Sequence, residues 1–196
     1  MVSIIKAAEG DVLKYKISSG FVKWVSSHDD RGKEELRELL RSKIKEGVEV
    51  WLAVDNGEIV GFTIVSDWPV LPGAKAIEAM EVAKPFRGRG IGSAMLSKII
   101  EEHDTLIALM PSPEEGYEKE LEEFYGRFGF HYLTNDYMVR IPDTPEAGYK
   151  LRKWIQQVDR LLEIYQVLLR EMKIRHDAIY ERMPKMALER REGPRS

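Results

Sequence analysis

The 196-residue sequence contains no cysteine, so it has neither a disulfide framework nor a thiol nucleophile. We expect a reducing, cytoplasmic compartment for such a chain. Its four histidines stand far apart, without the spacing of metal ligands, and no metal site is predicted. The apolar runs are too short to span a bilayer, and no signal-peptide pattern opens the chain. No membrane association is therefore expected.

Charged residues make up 32% of the sequence and hydrophobic residues 43%, which is typical of a globular protein in water. The length suits one domain with an appendage. Basic residues are interspersed with acidic ones and form no patch, so nucleic acid is not an expected partner.

The most informative stretch runs from Glu81 to Gly92 and reads Glu-Val-Ala-Lys-Pro-Phe-Arg-Gly-Arg-Gly-Ile-Gly. A predicted strand over 76–82 leads into it, and a predicted amphipathic helix starts at Ser93. A strand that enters a helix through glycines leaves backbone N–H groups free, and these donors favour an anion together with the helix dipole. Arg87 and Arg89 add positive charge. The stretch therefore predicts a phosphate-binding loop.

Two common phosphate motifs do not fit this loop. No Lys-Ser or Lys-Thr follows the last glycine, which excludes the Walker A motif. In the dinucleotide fingerprint Gly88 and Gly90 fit, but the third glycine would fall on Ser93. What remains is Arg-x-x-Gly-x-Gly, formed by Arg87, Gly90 and Gly92. This spacing resembles the pyrophosphate-binding loop of the GNAT superfamily of N-acetyltransferases, which holds the diphosphate of acetyl-CoA.

The order of the predicted elements also resembles that superfamily. Asn56-Gly57 between two alternating strands is the strongest short hairpin signal in the chain. The predicted elements are a strand over 2–7, helices over 11–25 and 34–45, strands over 48–54, 58–65 and 76–82, a helix over 93–102, a strand over 105–110, a helix from a capping box at Ser112–Glu115 to Phe128, and closing strands over 130–133 and 137–141.

A second stretch is similar to the superfamily: Phe124-Tyr-Gly-Arg-Phe-Gly-Phe130 matches the Phe-Tyr and Gly-Phe that its members carry here. Many members also have an asparagine where this chain has Glu118. The resemblance covers about 4–141 and implies an α/β fold with a mixed central sheet flanked by helices. It implies acetyl-CoA (coenzyme A) as cofactor and an amine as acceptor. The acceptor can be a small molecule, a protein or a peptide.

The resemblance also implies the site residues. The acyl group would lie where two parallel strands, 76–83 and 105–110, separate. Tyr125 matches the tyrosine that acts as general acid near the cofactor sulfur. Strand alternation places Glu78 on the face of Val82 and Glu81 on the other, which favours Glu78 as general base, with Glu81 or a water left open. The implied cofactor-binding residues are Val82, Ala83, Arg87, Gly88, Arg89, Gly90, Ile91 and Gly92.

The remainder of the chain lies outside the resemblance, and we expect two parts, 1–142 and 143–196. Pro145 predicts a helix start. The second part is predicted to be a helix of about 35 residues, which either forms a homodimer or packs back on its own domain, with a frayed tail over 183–196. Its apolar residues recur close to a heptad, at Leu151, Trp154, Val158, Leu161, Tyr165, Leu168, Met172 and Ile179.

The function expected from these motifs is acetyl transfer from acetyl-CoA to an amine, by direct attack within a ternary complex. The alternative is a CoA-binding regulatory or assembly protein that has lost catalysis and acts through its C-terminal helix. The sequence leaves the identity of the amine open.

Overall fold

A computed structural model describes residues 2–182 of the chain. These residues divide into two compact units, with the division between Tyr149 and Lys150. Within the first unit an eight-stranded mixed sheet carries helices on both faces. The described part of the second unit, 150–182, belongs to a single helix. The predicted α/β class, with a mixed central sheet and a long C-terminal helix, is confirmed.

The strands cross the sheet in the order β1-β3-β4-β5-β6-β8-β7, and β2 pairs with the start of β4. A short 3-10 turn, Lys84–Phe86, lies between β5 and α3. The elements are β1 (Ser3–Lys6), α1 (Glu9–Lys14), β2 (Lys16–Ile17), α2 (Asp30–Lys45), β3 (Glu49–Asp55), β4 (Glu58–Asp67), β5 (Lys75–Val82), α3 (Ile91–Glu102), β6 (Ile107–Leu109), α4 (Glu118–Gly126), β7 (His131–Tyr132), β8 (Met138–Arg140) and α5 (Pro145–Arg182).

Helical layers on both faces bury the centre of the sheet. β3 and β4 form the predicted hairpin around Asn56-Gly57. Leu36 and Leu40 of α2 are fully buried against one face, and Leu96 and Ile99 of α3 are fully buried against the other. Each such side chain stabilises the fold by roughly 1.5–3 kcal/mol relative to an exposed one. The sheet is therefore a firm frame for the loop that follows β5.

The helix predicted over 11–25 is wrong. α1 ends at Lys14 because the chain then pairs with β4, where the Ser18 N–H donates to the Ile59 carbonyl at 3.0 Å. An irregular segment, 18–29, replaces the rest of the predicted helix. Long-range pairing has thus overridden a local pattern of apolar residues.

The second helix starts earlier than the sequence predicts. α2 begins at Asp30 and not at Glu34. The Asp29 carboxylate caps it by accepting the Gly32 N–H at 2.8 Å. Residues expected in a polar loop therefore form the first turn of the helix.

The capping box predicted at Ser112–Glu115 is also wrong. α4 begins only at Glu118, whose Oε1 accepts the Gly116 N–H at 3.2 Å. Gly116 has a φ of +83°, which no α-helix can accommodate. The segment before α4 is consequently irregular.

The long helix α5 begins at Pro145, as predicted, and contains 38 residues. At 1.5 Å per residue it is about 57 Å long. None of the described helices is long and apolar enough to cross a membrane. The side chains of Leu151 and Ile179, and the predicted frayed tail over 183–196, lie outside what the structure describes.

Candidate active site

β5 and β6 are parallel neighbours for only three residue pairs, in which Lys75–Ile77 faces Ile107–Leu109. β6 ends there, so Glu78–Val82 has no strand of residues 2–182 on that side, while Ala79–Val82 pairs with β4 on the other. The two strands therefore separate, as the sequence predicted. The edge of β5 is open from Glu78 onward.

The backbone of Val82 points into this opening. The Ala83 N–H donates to the Val60 carbonyl of β4 at 2.9 Å. Only alternate residues of an antiparallel ladder bond to the same neighbour, so Val82 directs its N–H and carbonyl to the other edge. Nε of Arg87 donates to that carbonyl at 3.0 Å, which agrees with this direction.

Residues 88–93 present a run of free backbone donors. Gly88 and Gly90 both have a φ of +76°, a left-handed conformation that side chains with a Cβ disfavour. The first bond of α3 joins the Ala94 N–H to the Gly90 carbonyl at 2.9 Å. None of the six N–H groups from Gly88 to Ser93 has an acceptor among residues 2–182. With the dipole of α3, this run can bind an anion such as a diphosphate.

The two arginines of the loop are held by other groups of the protein. Nη1 of Arg87 donates to Glu114 at 2.8 Å. That hydrogen bond lowers the pKa of the Glu114 carboxyl. The Arg89 guanidinium lies 5.1 Å from the ring centroid of Phe86. Arg87 thus braces the loop against the end of β5, while Arg89 stays on the exposed side of the loop.

Tyr125 of α4 belongs to the same buried cluster as Ile77 and Leu109, the last residue pair before β5 and β6 separate. Burial raises its pKa to about 12. No hydrogen bond from the described residues contributes to that shift. Its neighbour Phe124 lies 3.6 Å from the position of a Cβ on Gly92, which links α4 to the glycine loop. Tyr125 therefore keeps its proton at neutral pH.

A β-bulge at Glu78 overturns the predicted faces of β5. Ile77 and Ala79 pair with successive residues of β4, so Glu78 between them has no partner on β4. The alternation of side chains between the two faces of β5 is therefore shifted by one residue after Glu78. The Val82 side chain packs with α3, whereas the Glu78 carboxylate pairs with Lys43 of α2 at 2.9 Å. The prediction that Glu78 and Val82 share a face is wrong.

Glu78 is ionised at neutral pH. Burial raises the pKa of its carboxyl, but hydrogen bonds from Lys43 and Ser66 outweigh burial, and the net pKa lies below the ordinary value. The same bond raises the pKa of Lys43. Glu78 is thus a carboxylate in an ion pair at the start of the open edge.

Glu81 is more deeply buried, with a side chain only 2% exposed. Its Oε1 accepts the N–H groups of Val22 at 2.7 Å and Lys23 at 3.1 Å. Nη2 of Arg87 lies 3.9 Å from the same oxygen. Its Oε2 is buried and has no partner among the described residues. A buried carboxylate oxygen without a partner is costly, and such atoms often belong to functional sites.

The segment that Glu81 holds is closed on itself. The Ser27 hydroxyl donates to the Ser18 carbonyl at 2.9 Å and accepts the Phe21 N–H at 3.0 Å. The Gly20 carbonyl accepts the Lys84 N–H at 2.9 Å. Residues 18–27 thus form a compact loop, which we call the clamp loop, seated on the 3-10 turn after β5.

Two large side chains mark the middle of the clamp loop. Trp24 is 44% exposed, and Nζ of Lys23 lies 5.9 Å from its ring centroid. Burial lowers the pKa of Lys23, more than the nearby carboxylates of Glu81 and Glu114 raise it. An aromatic and a cationic group are therefore presented beside the end of β5.

Residues 46–132 match the family model described as the acetyltransferase (GNAT) domain. This span contains the separated strands, the glycine loop and Tyr125. The match lies within the first unit, and we call that unit the GNAT domain after the family model that it matches.

Solved structures share the fold of this GNAT domain. An acetoin utilization protein from Exiguobacterium sibiricum has a TM-score of 0.60 at 20% identity, over 77% of this chain and 86% of its own. The histone acetyltransferase HPA2 and related acetyltransferase from Corynebacterium glutamicum has a TM-score of 0.51 at 22% identity, over 74% and 98%. Identities this low support the fold alone. No curated protein matches the chain in sequence.

The GNAT domain brings most of the predicted cofactor-binding residues together. Gly88, Gly90, Ile91 and Gly92 contribute to the run of free N–H groups, and Val82 directs its backbone into the adjoining opening. Ala83 differs, because its N–H bonds to β4 and its carbonyl accepts the Phe86 N–H at 2.8 Å. Ala83 was predicted to bind the cofactor, but its backbone N–H is not free to do so.

Sequence reasoning missed the clamp loop of the GNAT domain. It placed 18–25 in a helix and 26–27 in a polar loop, and it left Glu81 without its main partners, Val22 and Lys23. Ser18-Ser19-Gly20, all poor helix formers, was the available signal against a helix. Among residues 2–182, no three histidine, aspartate or glutamate side chains are grouped so that they could hold a metal ion.

Proposed function

We propose that the GNAT domain transfers an acetyl group from acetyl-CoA to an amine, by direct attack within a ternary complex. The proposal rests on the position of the six free N–H groups, which begin beyond the end of β5 and adjoin its open edge. An anion bound by residues 88–93 would lie at one end of the opening into which Val82 directs its backbone.

The residues present fit coenzyme A. The free N–H groups of the glycine loop are donors for a diphosphate, and the Val82 N–H is a donor for a carbonyl oxygen of the pantetheine arm or the thioester. Acetyl-CoA, when bound, supplies a thioester whose acyl carbon an amine can attack. Tyr125 retains its proton because burial raises its pKa to about 12, and it can donate that proton to the leaving sulfur.

An attacking amine must also lose a proton, and we propose that Glu78, at the start of the open edge of β5, accepts it directly or through a water, although the bulge places it on the α2 side and not on the face of Val82. Its lowered pKa keeps it ionised at neutral pH. Glu81 is the competing candidate, because its Oε2 is buried without a partner. Substituting glutamine at each position separates the two, since glutamine keeps the shape of the side chain and cannot take the proton.

Calorimetric titration with acetyl-CoA and desulfo-CoA, followed by a thiol-release assay over a panel of amines, tests the proposal. We expect binding of both ligands and turnover with at least one amine. Tyr125→Phe should bind acetyl-CoA as the wild type does and lose about 10²–10⁴-fold in kcat. Failure of every CoA species to bind would refute both this function and its alternative.

The second candidate is a CoA-binding assembly or regulatory protein without catalysis that acts through α5. The exposed apolar side chains along that helix favour it. Tight CoA binding with no release of thiol for any amine, unchanged by Tyr125→Phe, would support this second candidate over acetyl transfer.

A further inference from the structure

The helix α5 carries an apolar stripe in heptad register. Its a and d positions are occupied by Trp154, Val158, Leu161, Tyr165, Leu168 and Met172. From Val158 to Met172 these side chains are between 36% and 65% exposed. A 3.5-residue apolar repeat of this length is the pattern with which one helix packs along another.

The apolar stripe is wider than the a and d positions alone, and its central part contains no charged residue. Ile155, Leu162 and Leu169 occupy the neighbouring e positions and are each about half exposed or more, at 52%, 52% and 63%. Between 154 and 169, the a, d, e and g positions hold no charged residue. Charges such as those of Asp159 and Glu163 fall on the opposite side. Two identical faces can therefore meet without opposing like charges.

The length of the stripe indicates what covers it. Within residues 2–149 the longest helix is α2, with 16 residues, whereas α5 has 38. A second copy of the chain supplies a helix of the same length, pattern and neutral face. We propose that two copies of this chain associate through their α5 helices.

The area available is sufficient for such an interface. A half-exposed aliphatic or aromatic side chain leaves on the order of 100 Å² in solvent, so the stripe offers on the order of 1,000 Å² per chain. Stable protein–protein interfaces bury roughly 800 Å² per partner. The association therefore needs no contribution from the GNAT domain.

Light scattering of the full chain tests the inference. We expect a particle of twice the 22.6 kDa chain mass. Leu161→Gln together with Leu168→Gln, both at d positions, should shift the mass to a single chain while preserving the helix, because glutamine is a good helix former. The matched control, Glu163→Gln with Arg170→Gln, has the same spacing, leaves the net charge unchanged and should remain a dimer.

A single-chain mass for the wild type at micromolar concentration would overturn the inference. So would a leucine variant that stays dimeric with the same helical circular dichroism. If that variant lost helicity, hydrogen exchange of the wild type decides: the amides of α5, and not those of α2, should gain protection as concentration rises through the dissociation range. Protection of α5 that is independent of concentration would mean that it packs on its own chain. Neither readout depends on acetyl transfer.

Discussion

Oε1 of Glu81 accepts the N–H of Val22 at 2.7 Å, joining two segments that lie 59 residues apart in sequence. The same oxygen accepts the N–H of Lys23. Because Glu81 immediately precedes Val82, the strand that points into the opening also anchors the clamp loop. A single buried carboxylate therefore fixes the position of the clamp loop relative to the end of β5.

We predict that Glu81→Ala loosens the clamp loop, whereas Glu81→Gln largely preserves it, because the glutamine carbonyl can accept both N–H groups. The alanine variant should lose about 1–3 kcal/mol of unfolding free energy, the cost of leaving buried donors without an acceptor. Hydrogen exchange at Val22 and Lys23 should show lost protection only in the alanine variant. If the domain transfers acetyl as proposed, KM for the amine should rise while the affinity for acetyl-CoA stays within about threefold. Unaltered exchange in Glu81→Ala would contradict this role.

A substitution at Gly90 tests the anion loop. Gly90→Ala should weaken CoA binding about tenfold or more, because a left-handed conformation costs a residue with a Cβ roughly 1–2 kcal/mol. Gly10→Ala in α1 is the matched control: Gly10 has open space around its Cβ position and is not among the glycines with positive φ. That control should leave CoA binding unchanged. Equal calorimetric affinities for the two variants would argue against a strained loop as the binding element.

The role of Glu78 is tested by the pH dependence of the rate. The lowered pKa of Glu78 means that the carboxylate is lost only as pH falls below its ordinary range, so activity should fall on the acidic side. Glu78→Gln should remove about 10²–10⁴-fold in kcat and flatten that acidic limb. Lys43→Met breaks the ion pair without removing the carboxylate, so it should raise the pKa of Glu78 and move the acidic limb to higher pH. An acidic limb that survives Glu78→Gln and disappears in Glu81→Gln would transfer the role to Glu81.

Acid stability should depend on Glu49 of β3. Burial raises the pKa of Glu49, but Lys6, Lys75 and His103 outweigh burial and lower it to about 2. A lowered pKa gives stability that is present above the unfolded-state pKa near 4.5 and is lost as pH falls toward 2. Glu49 should therefore contribute at most about 3 kcal/mol at pH 7.

Urea unfolding of Glu49→Gln at pH 7 and pH 3 checks this expectation. The variant should be less stable than the wild type at pH 7, and the difference should shrink at pH 3. Glu101→Gln is the control, because among residues 2–182 Glu101 pairs only with Lys98, at the surface, and such exposed pairs contribute little. If the free energy of unfolding fell equally between pH 7 and pH 3 in the wild type and in Glu49→Gln, groups other than Glu49 would be responsible for the loss of stability in acid.

The features that were predictable from sequence depend on local chemistry. Asn56-Gly57 fixes a tight hairpin whatever surrounds it, and Gly88 and Gly90 supply the left-handed turns of the loop. The position of Tyr125 beside the separated strands followed from a motif of adjacent residues. In each case the signal and the structure it specifies lie within a few residues of each other.

The features that were not predictable depend on distant partners. The bulge at Glu78 arises from the register between β4 and β5, and a one-residue change in register reverses every face that follows. The clamp loop owes its shape to β4 and to Glu81, neither of which is near it in sequence. An apolar spacing that suits a helix carries no information about such pairings.

The bond between Arg87 and the Val82 carbonyl has a consequence for substrate sorting. With that carbonyl engaged by Nε, Val82 offers the opening its N–H, which can bond a lone pair. Under the proposed function, a carbonyl or thioester oxygen would bond to that N–H, whereas the amine would give its proton to the carboxylate of Glu78. If the domain transfers acetyl as proposed, hydrogen-bond polarity at Val82 favours the acyl oxygen over the amine, and charge reversal at Arg87 would weaken that preference.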